Sequence, residues 1–169
     1  MGISETRWPG ENEYYSNQFR IIQSGGEESQ RGVAIILDQR TANAVEKIHY
    51  EGDRLLTMRL KGKPVDLCII QVYMPTSGHT DEEVEEMYEK IDELIDSETR
   101  SKDYTIVMGD FSAVVGEGKE GKYVGHYGLG CCNQRGEKLM EFCRRREMCT
   151  TNTWFCQDKR RYTWTMPGS

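Results

Sequence analysis

From Tyr104 to Ser112 the chain reads Tyr-Thr-Ile-Val-Met-Gly-Asp-Phe-Ser, an apolar run that halts at Gly109 and is followed at once by the carboxylate of Asp110. Residues 105–108 are too few for a helix, rich in β-branched side chains and without a polar member other than Thr105, so they predict a strand buried on both faces. A buried strand that ends in Gly-Asp carries an acid to a sheet edge. In α/β architectures ligands collect just beyond the carboxyl ends of strands. The plainer role for Asp110 is to cap a turn, because Gly-Asp is a common way to finish a strand.

Other elements arrange themselves around this one. Residues 19–23 and 32–37 read as strands on either side of the turn signal Ser24-Gly25-Gly26, and together predict a hairpin. Residues 54–60 alternate, with Leu56, Met58 and Leu60 on one face and Thr57 and Arg59 on the other, the period of a half-buried strand. After a turn at Gly62-Lys63-Pro64, residues 65–73 predict a more apolar strand that Pro75 ends. Thr80 and Glu83 form a capping box for a helix over 80–98. Its apolar stripe is Val84, Met87, Tyr88, Ile91, Leu94 and Ile95, and its opposite face is acidic and solvated. Asn133 is placed to cap a second helix reaching about Glu147, with Leu139, Phe142 and Cys143 inward. Such a βαβ arrangement leaves helices outside a sheet and strand ends open.

The 169 residues are one domain's worth of chain, with enough apolar content for a core. No apolar span is long enough for a bilayer and the amino terminus lacks a signal-peptide pattern, so the expectation is an intracellular protein, nuclear or cytoplasmic. The net charge of −6 is uneven: residues 80–98 hold 10 of the 28 acids and 1 of the 22 basic groups, which leaves the remainder slightly basic. Net charge therefore does not exclude a nucleic-acid partner. Cysteines 68, 131, 132, 143, 149 and 156 lack the paired spacing of a zinc site. Cys68 and Cys143 read as small buried hydrophobes. The glycines from 116 to 130 contain no G-x-x-x-x-G-K-[ST] pattern, which argues against a P-loop. Basic clusters occur at Arg144-Arg145-Arg146 and Lys159-Arg160-Arg161. Each could track a DNA backbone, although short charge runs are more often solvated surface.

Four stretches carry more information together than singly. Ile3-Ser-Glu-Thr-Arg-Trp8, Gln71-Val-Tyr-Met-Pro-Thr76, Met108-Gly-Asp-Phe-Ser112 and Arg161-Tyr-Thr-Trp-Thr165 occur in the order, and at about the distances, seen in the endonuclease/exonuclease/phosphatase superfamily. The chain resembles that superfamily from Gly2 to Gly168. Through Tyr127-Gly-Leu-Gly130, Asn133-Gln-Arg-Gly136, Asn152-Thr-Trp-Phe155 and Lys159-Arg-Arg-Tyr-Thr-Trp164 it is most similar to the apurinic-type endonuclease domains of non-long-terminal-repeat (LINE, RTE-type) retrotransposons.

The resemblance implies an α/β (α+β) fold, a four-layer α/β/β/α sandwich of two mostly antiparallel sheets flanked by helices. It implies one domain over 1–169, incomplete at its amino and carboxyl ends. It assigns Glu5 to a Mg²⁺ (or Mn²⁺) ion, Asp110 to the attacking water, and Tyr73 to the scissile phosphate. Ser112 stands where the family has an asparagine that aligns nucleophile and phosphate. Arg7, Lys159, Arg160, Thr163 and Trp164 are the expected DNA contacts. The family also has an asparagine strand before the glutamate and a terminal histidine that this chain does not match. His49, His79 and His126 read as surface or packing residues. The expectation is thus a DNA endonuclease-like phosphodiesterase with weakened or absent activity, or else a catalytically dead, domesticated module that binds DNA or protein. Exposed sheet edges would invite self-association or a protein partner. A small-molecule phosphoesterase of the same fold is the third reading.

Overall fold

In a computed structural model that describes residues 1–118 and 121–156, the chain forms two compact units, Met1–Ser112 and Ala113–Ser169. The first unit holds two four-stranded sheets. One contains β1 (Gly2–Ser4), β2 (Asn12–Ser16), β3 (Phe19–Ser24) and β4 (Val33–Asp38) in the order β1-β4-β3-β2, antiparallel throughout. The other contains β5 (Val45–Glu51), β6 (Leu55–Leu60), β7 (Leu67–Tyr73) and β8 (Tyr104–Asp110) in the order β5-β6-β7-β8, with only β7 and β8 parallel. A one-turn helix, α1 (Gln39–Ala42), follows β4, and α2 (Asp81–Glu98) lies between β7 and β8. A parallel pair needs such a crossover, because a tight hairpin cannot return the chain in the same direction. Two mostly antiparallel sheets with helices are the architecture that the resemblance implied.

The core lies between the two sheets. Ile22, Val33, Ile35 and Leu37 from the first meet Leu56, Met58, Leu60 and Tyr73 from the second. The expected hairpin is the β3/β4 pair, in register from Phe19↔Asp38 to Ser24↔Val33. α2 starts where its capping box predicts: Thr80 Oγ1 accepts from Glu83 N and Glu83 Oε2 accepts from Thr80 N at 2.8 Å. Val84, Met87, Tyr88, Ile91 and Leu94 are buried, and α2 packs on β6. Strands β2 and β5 were not anticipated. Their Glu, Asn, Lys and His residues break any apolar period, and pairing with β3 and β6 overrides that weak local preference.

Two strands depart from expectation in opposite senses. All six residues of β6 are buried, including Thr57 and Arg59 on the face expected to be wet. β6 is an interior strand, with the core on one face and α2 over the other. Arg59 is accommodated there because Nε donates to Glu46 at 3.0 Å, Nη2 reaches Asp103 at 2.8 Å, and Nη1 donates to the Glu98 carbonyl at 3.1 Å. β8 is the reverse. Tyr104 is 66% exposed and Ile106 44%, because β8 is the last strand in its sheet and has a neighbour on one side only. Its strand geometry also runs on through Gly109 to Asp110 rather than stopping at the glycine.

In the second unit, α3 (Gln134–Arg146) begins at the expected cap, Asn133 Oδ1 accepting from Gly136 N at 2.7 Å and from Val114 N at 3.1 Å. Leu139, Met140, Phe142 and Cys143 are its buried face. Arg144, Arg145 and Arg146 occupy the last turn, where cations suit the helix dipole. Glu147 ends the helix in the left-handed conformation. Among the described residues no helix is long and apolar enough to cross a membrane.

Candidate active site

The site is built where β7 and β8 end side by side. In the parallel register Tyr73 is the partner of Asp110, so a phenol and a carboxylate leave adjacent strands at the same level. Met74 N donates to the Asp110 carbonyl at 2.9 Å, which carries the ladder one step past the strands. Gly109 permits this approach. A Cβ there would lie 1.9 Å from the Val72 carbonyl oxygen, and its φ of +146° is one that side-chain-bearing residues avoid. The glycine of the Gly-Asp pair is thus required by strand-to-strand contact rather than by a turn.

A single hydroxyl brings the third strand in. Ser4, the last residue of β1, donates through Oγ to the Val72 carbonyl at 2.9 Å. The same oxygen accepts from Gln71 Nε2 at 3.0 Å and from Asp110 N at 3.3 Å. The end of β1 is therefore tied to both β7 and β8, and Glu5 is the next residue along. Ser4, Gln71 and Arg54 are the site residues that sequence reasoning missed. For Gln71 a signal existed, one amide in an otherwise apolar strand, and it is 1% exposed. Ser4 offered none.

Past these strand ends the backbone is strained. Glu5, Arg7 and Ser112 have φ of 61°, 58° and 48°, left-handed values costing roughly 1–2 kcal/mol apiece for ordinary L-residues. Bonds from Thr6 N to the Gly32 carbonyl (3.0 Å) and from Arg7 N to the Arg31 carbonyl (2.6 Å) hold the first pair. Strain of this kind concentrates at functional sites. Ser112 N donates to Asp110 Oδ1 at 2.8 Å, so Asp110 does cap a turn, as its plainer role required. Its second oxygen has no hydrogen-bond partner among the described residues.

Tyr73 is 9% exposed, and burial, followed by the negative charges of Glu5 and Asp110 against the opposing Arg54, holds its phenol above the ordinary tyrosine pKa. That direction favours the neutral hydroxyl, which is a hydrogen-bond donor. Arg54 supports it from behind: the guanidinium carbon lies 5.2 Å from the ring centroid and Nη1 donates to the Tyr73 carbonyl at 3.1 Å. Arg54 is itself buried, which lowers its pKa, and its Nη2 is 3.2 Å from His79 Nε2. His79 is half-buried against this arginine, a packing role as expected.

Glu5 is 45% exposed and paired with Arg7 at 2.7 Å. Glu5 and Asp110 offer oxygen donors, the type that suits a hard divalent cation that keeps much of its water. Among the described residues no three His, Cys, Asp or Glu side chains form a closed metal cage. The donor set therefore fits only an open site, completed by water and a phosphate. Glu5, Tyr73, Asp110 and Ser112 are brought to one edge and Arg7 joins them through Glu5. Lys159, Arg160, Thr163 and Trp164 lie outside the described residues.

No protein-family model matches the chain. Craniofacial development protein 2 of Bos taurus is 38% identical over 99% of this chain and 28% of its own length, and the protein of that name from Tragulus javanicus is 37% identical over 99% and 29%. The chain is homologous to craniofacial development protein 2. It spans under a third of the length of these relatives. Among solved structures, the endonuclease domain of TRAS1, a telomere-specific non-LTR retrotransposon, matches with a TM-score of 0.50 and 17% identity, over 80% of this chain and 55% of that one. At that identity the likeness is one of fold: two four-stranded sheets with helices in an endonuclease-like arrangement.

Proposed function

We propose that this chain is the catalytic portion of a divalent-metal-assisted phosphodiesterase, an endonuclease of retrotransposon origin that nicks DNA with reduced activity. The observation that carries the reading is the in-register pairing of Tyr73 with Asp110 and the Ser4 hydroxyl that ties Glu5's strand to both. The fold likeness to a retrotransposon endonuclease domain supports the choice of reaction, and the homology to craniofacial development protein 2 supports a cellular setting.

Glu5, with Asp110 beside it, is the residue that would hold Mg²⁺ or Mn²⁺, and the bound ion would polarise a phosphoryl oxygen and stabilise the leaving alkoxide. The chain's own groups do the rest. The second oxygen of Asp110 accepts a proton from water while its other oxygen stays fixed by Ser112 N, so the carboxylate cannot swing away from the nucleophile. Tyr73, kept protonated, donates to a phosphoryl oxygen as charge builds there. Arg7 exchanges its bond to Glu5 for a phosphate and so positions the strand. Ser112 has one hydroxyl where an amide would both donate and accept at longer reach, and this is the weak point of the set.

Nicking of supercoiled plasmid, with Mg²⁺ and with chelator, tests the reading. Metal-dependent nicking lost in Glu5→Gln and Asp110→Asn is the expected result; nicking indifferent to both substitutions, or none from the folded chain, overturns it. The close Glu5–Arg7 pair favours a second reading, a domain that binds DNA or protein without cleaving. It is supported if duplex DNA or a protein is bound with undiminished affinity by Asp110→Asn and no nicking occurs.

A further inference from the structure

Leu67, Ile69 and Tyr73 give β7 an apolar face packed into the core between the sheets. The strand period of two places Gln71 on that same face. Its amide is 1% exposed, and its two ends fare differently. Nε2 donates to Ser4 Oγ at 3.0 Å and lies 3.5 Å from the Val72 carbonyl. Oε1 is buried with no hydrogen-bond partner among the described residues. Reversing the amide would not mend this, because Oε1 would then compete for the single Ser4 proton that the Val72 carbonyl receives at 2.9 Å. Residue 2 leaves the amide its space: a Cβ on Gly2 would lie 1.8 Å from Oε1. A buried carbonyl oxygen without a donor destabilises a fold, and an apolar side chain of the same length removes that cost.

What the amide does there is set the Ser4 hydroxyl. A hydroxyl has one proton and two acceptor lone pairs. The proton goes to the Val72 carbonyl and the lone pairs take Gln71 Nε2 and Asp110 N, so every position is used. Two of these partners are backbone groups that the β7/β8 ladder holds in any case; Gln71 is the one side chain among them. Without its N–H the hydroxyl is free to turn, and the end of β1 turns with it. Glu5 leaves that end in a left-handed conformation, φ 61°, so a small rotation at Ser4 redirects its carboxylate. Asp110 shares the same hydroxyl through its own N–H, and the two acids are thereby set against one reference point. We propose that Gln71 is a positioning residue of the candidate metal site, holding Glu5 in place relative to Asp110 through the Ser4 hydroxyl while destabilising the fold. This rests on the divalent-metal reading above. Groups lying behind a metal's ligands orient them, and their loss lowers metal affinity.

The test pairs Mn²⁺ binding to the full chain, read from the EPR signal of the free ion, with thermal unfolding in chelator. Gln71→Met keeps the length of the side chain and removes the amide. It should melt about 2–4 °C higher than the parent and bind Mn²⁺ about tenfold more weakly. A melting temperature that does not rise marks the amide as structural, and an unchanged Mn²⁺ affinity leaves it no role at the site; either result overturns the proposal. Ser4→Ala should weaken Mn²⁺ binding by a similar factor, and the double variant should bind no more weakly than Ser4→Ala, because both act through one hydroxyl. Losses that multiply overturn the route through Ser4. Parent-chain binding that survives Glu5→Gln, or no Mn²⁺ binding by the parent, overturns the metal reading and the positioning role with it.

Discussion

The second sheet presents acids at both of its ends, to opposite effect. Where β7 and β8 begin, Asp66, Asp103, Glu46 and Glu98 surround Arg59, and Lys47 closes on Glu98 at 2.7 Å. Charges there are buried and matched: Asp103 is 4% exposed and Glu98 8%. Where the same strands end, Asp110 and Glu5 are solvent-exposed, Glu5 has one exposed arginine and Asp110 keeps an oxygen with no hydrogen-bond partner among the described residues. A carboxylate surrounded by donors is committed to structure, whereas one with few donors on a strained backbone is available to a ligand. The number of donors separates the two ends better than the identity of the acids.

The largest test of that contrast is Arg59→Met. It leaves the Asp103 carboxylate buried without its guanidinium and the Glu98 carbonyl without its donor, and should cost on the order of 3–5 kcal/mol, read as a fall in the urea midpoint. Asp110→Asn, by comparison, should cost under about 1 kcal/mol, and a loss as large as that of Arg59→Met would erase the distinction. Gly109→Ala comes next. Its Cβ meets the Val72 carbonyl oxygen with no room to move, so a cost of roughly 1–3 kcal/mol is expected, together with lost nicking because Asp110 is displaced.

Acid should expose the same difference more gently. The Gly62 N–H first, then Arg59, hold the Asp66 carboxyl below its ordinary value of 3.8. A depressed native pKa stabilises the folded state fully above the unfolded value and loses that contribution as pH falls through the native one. Stability should thus drop below about pH 4, and Asp66→Asn should flatten the dependence in urea melts recorded from pH 7 to pH 3. The smallest effect is on thiol chemistry. Burial pushes the Cys68 thiol up to about 11, whereas Cys131, Cys132, Cys149 and Cys156 are exposed. A thiol reagent at neutral pH should label these four first, and Cys68 should label faster in Arg59→Met if the clamp shields it.

Much of the fold was legible because its signals are local. The Thr80 capping box, the Val84-to-Leu94 stripe and the Asn133 cap are spacings of three and four residues, set by helix geometry whatever surrounds them. Burial of strands was less legible. Thr57 and Arg59 look wet and are dry because α2 and four acids reach them from elsewhere in the chain. Ile106 looks dry and is partly wet because β8 has one neighbour. Of the candidate site, Glu5, Tyr73, Asp110 and Ser112 were named only through the resemblance, and the structure sets them at one edge of the strands. Ser4 could not be named, since its role depends on three partners roughly 70 to 100 residues away in sequence. Arg54, likewise, is distinguished from any other strand-end arginine only by the Tyr73 ring it supports.

Ser112 offers the most direct test of the central claim, that the Asp110 end of the sheet is a site of phosphodiester chemistry. Its φ of 48° is a conformation that asparagine adopts more readily than serine, so Ser112→Asn should fold without added strain. The measurement is the Mg²⁺-dependent nicking rate of Ser112→Asn against the parent chain, with Ser112→Asn/Asp110→Asn as the control. A gain of about tenfold or more that disappears in the double variant is the predicted result. An unchanged rate, or a gain that survives the loss of Asp110, would contradict the account.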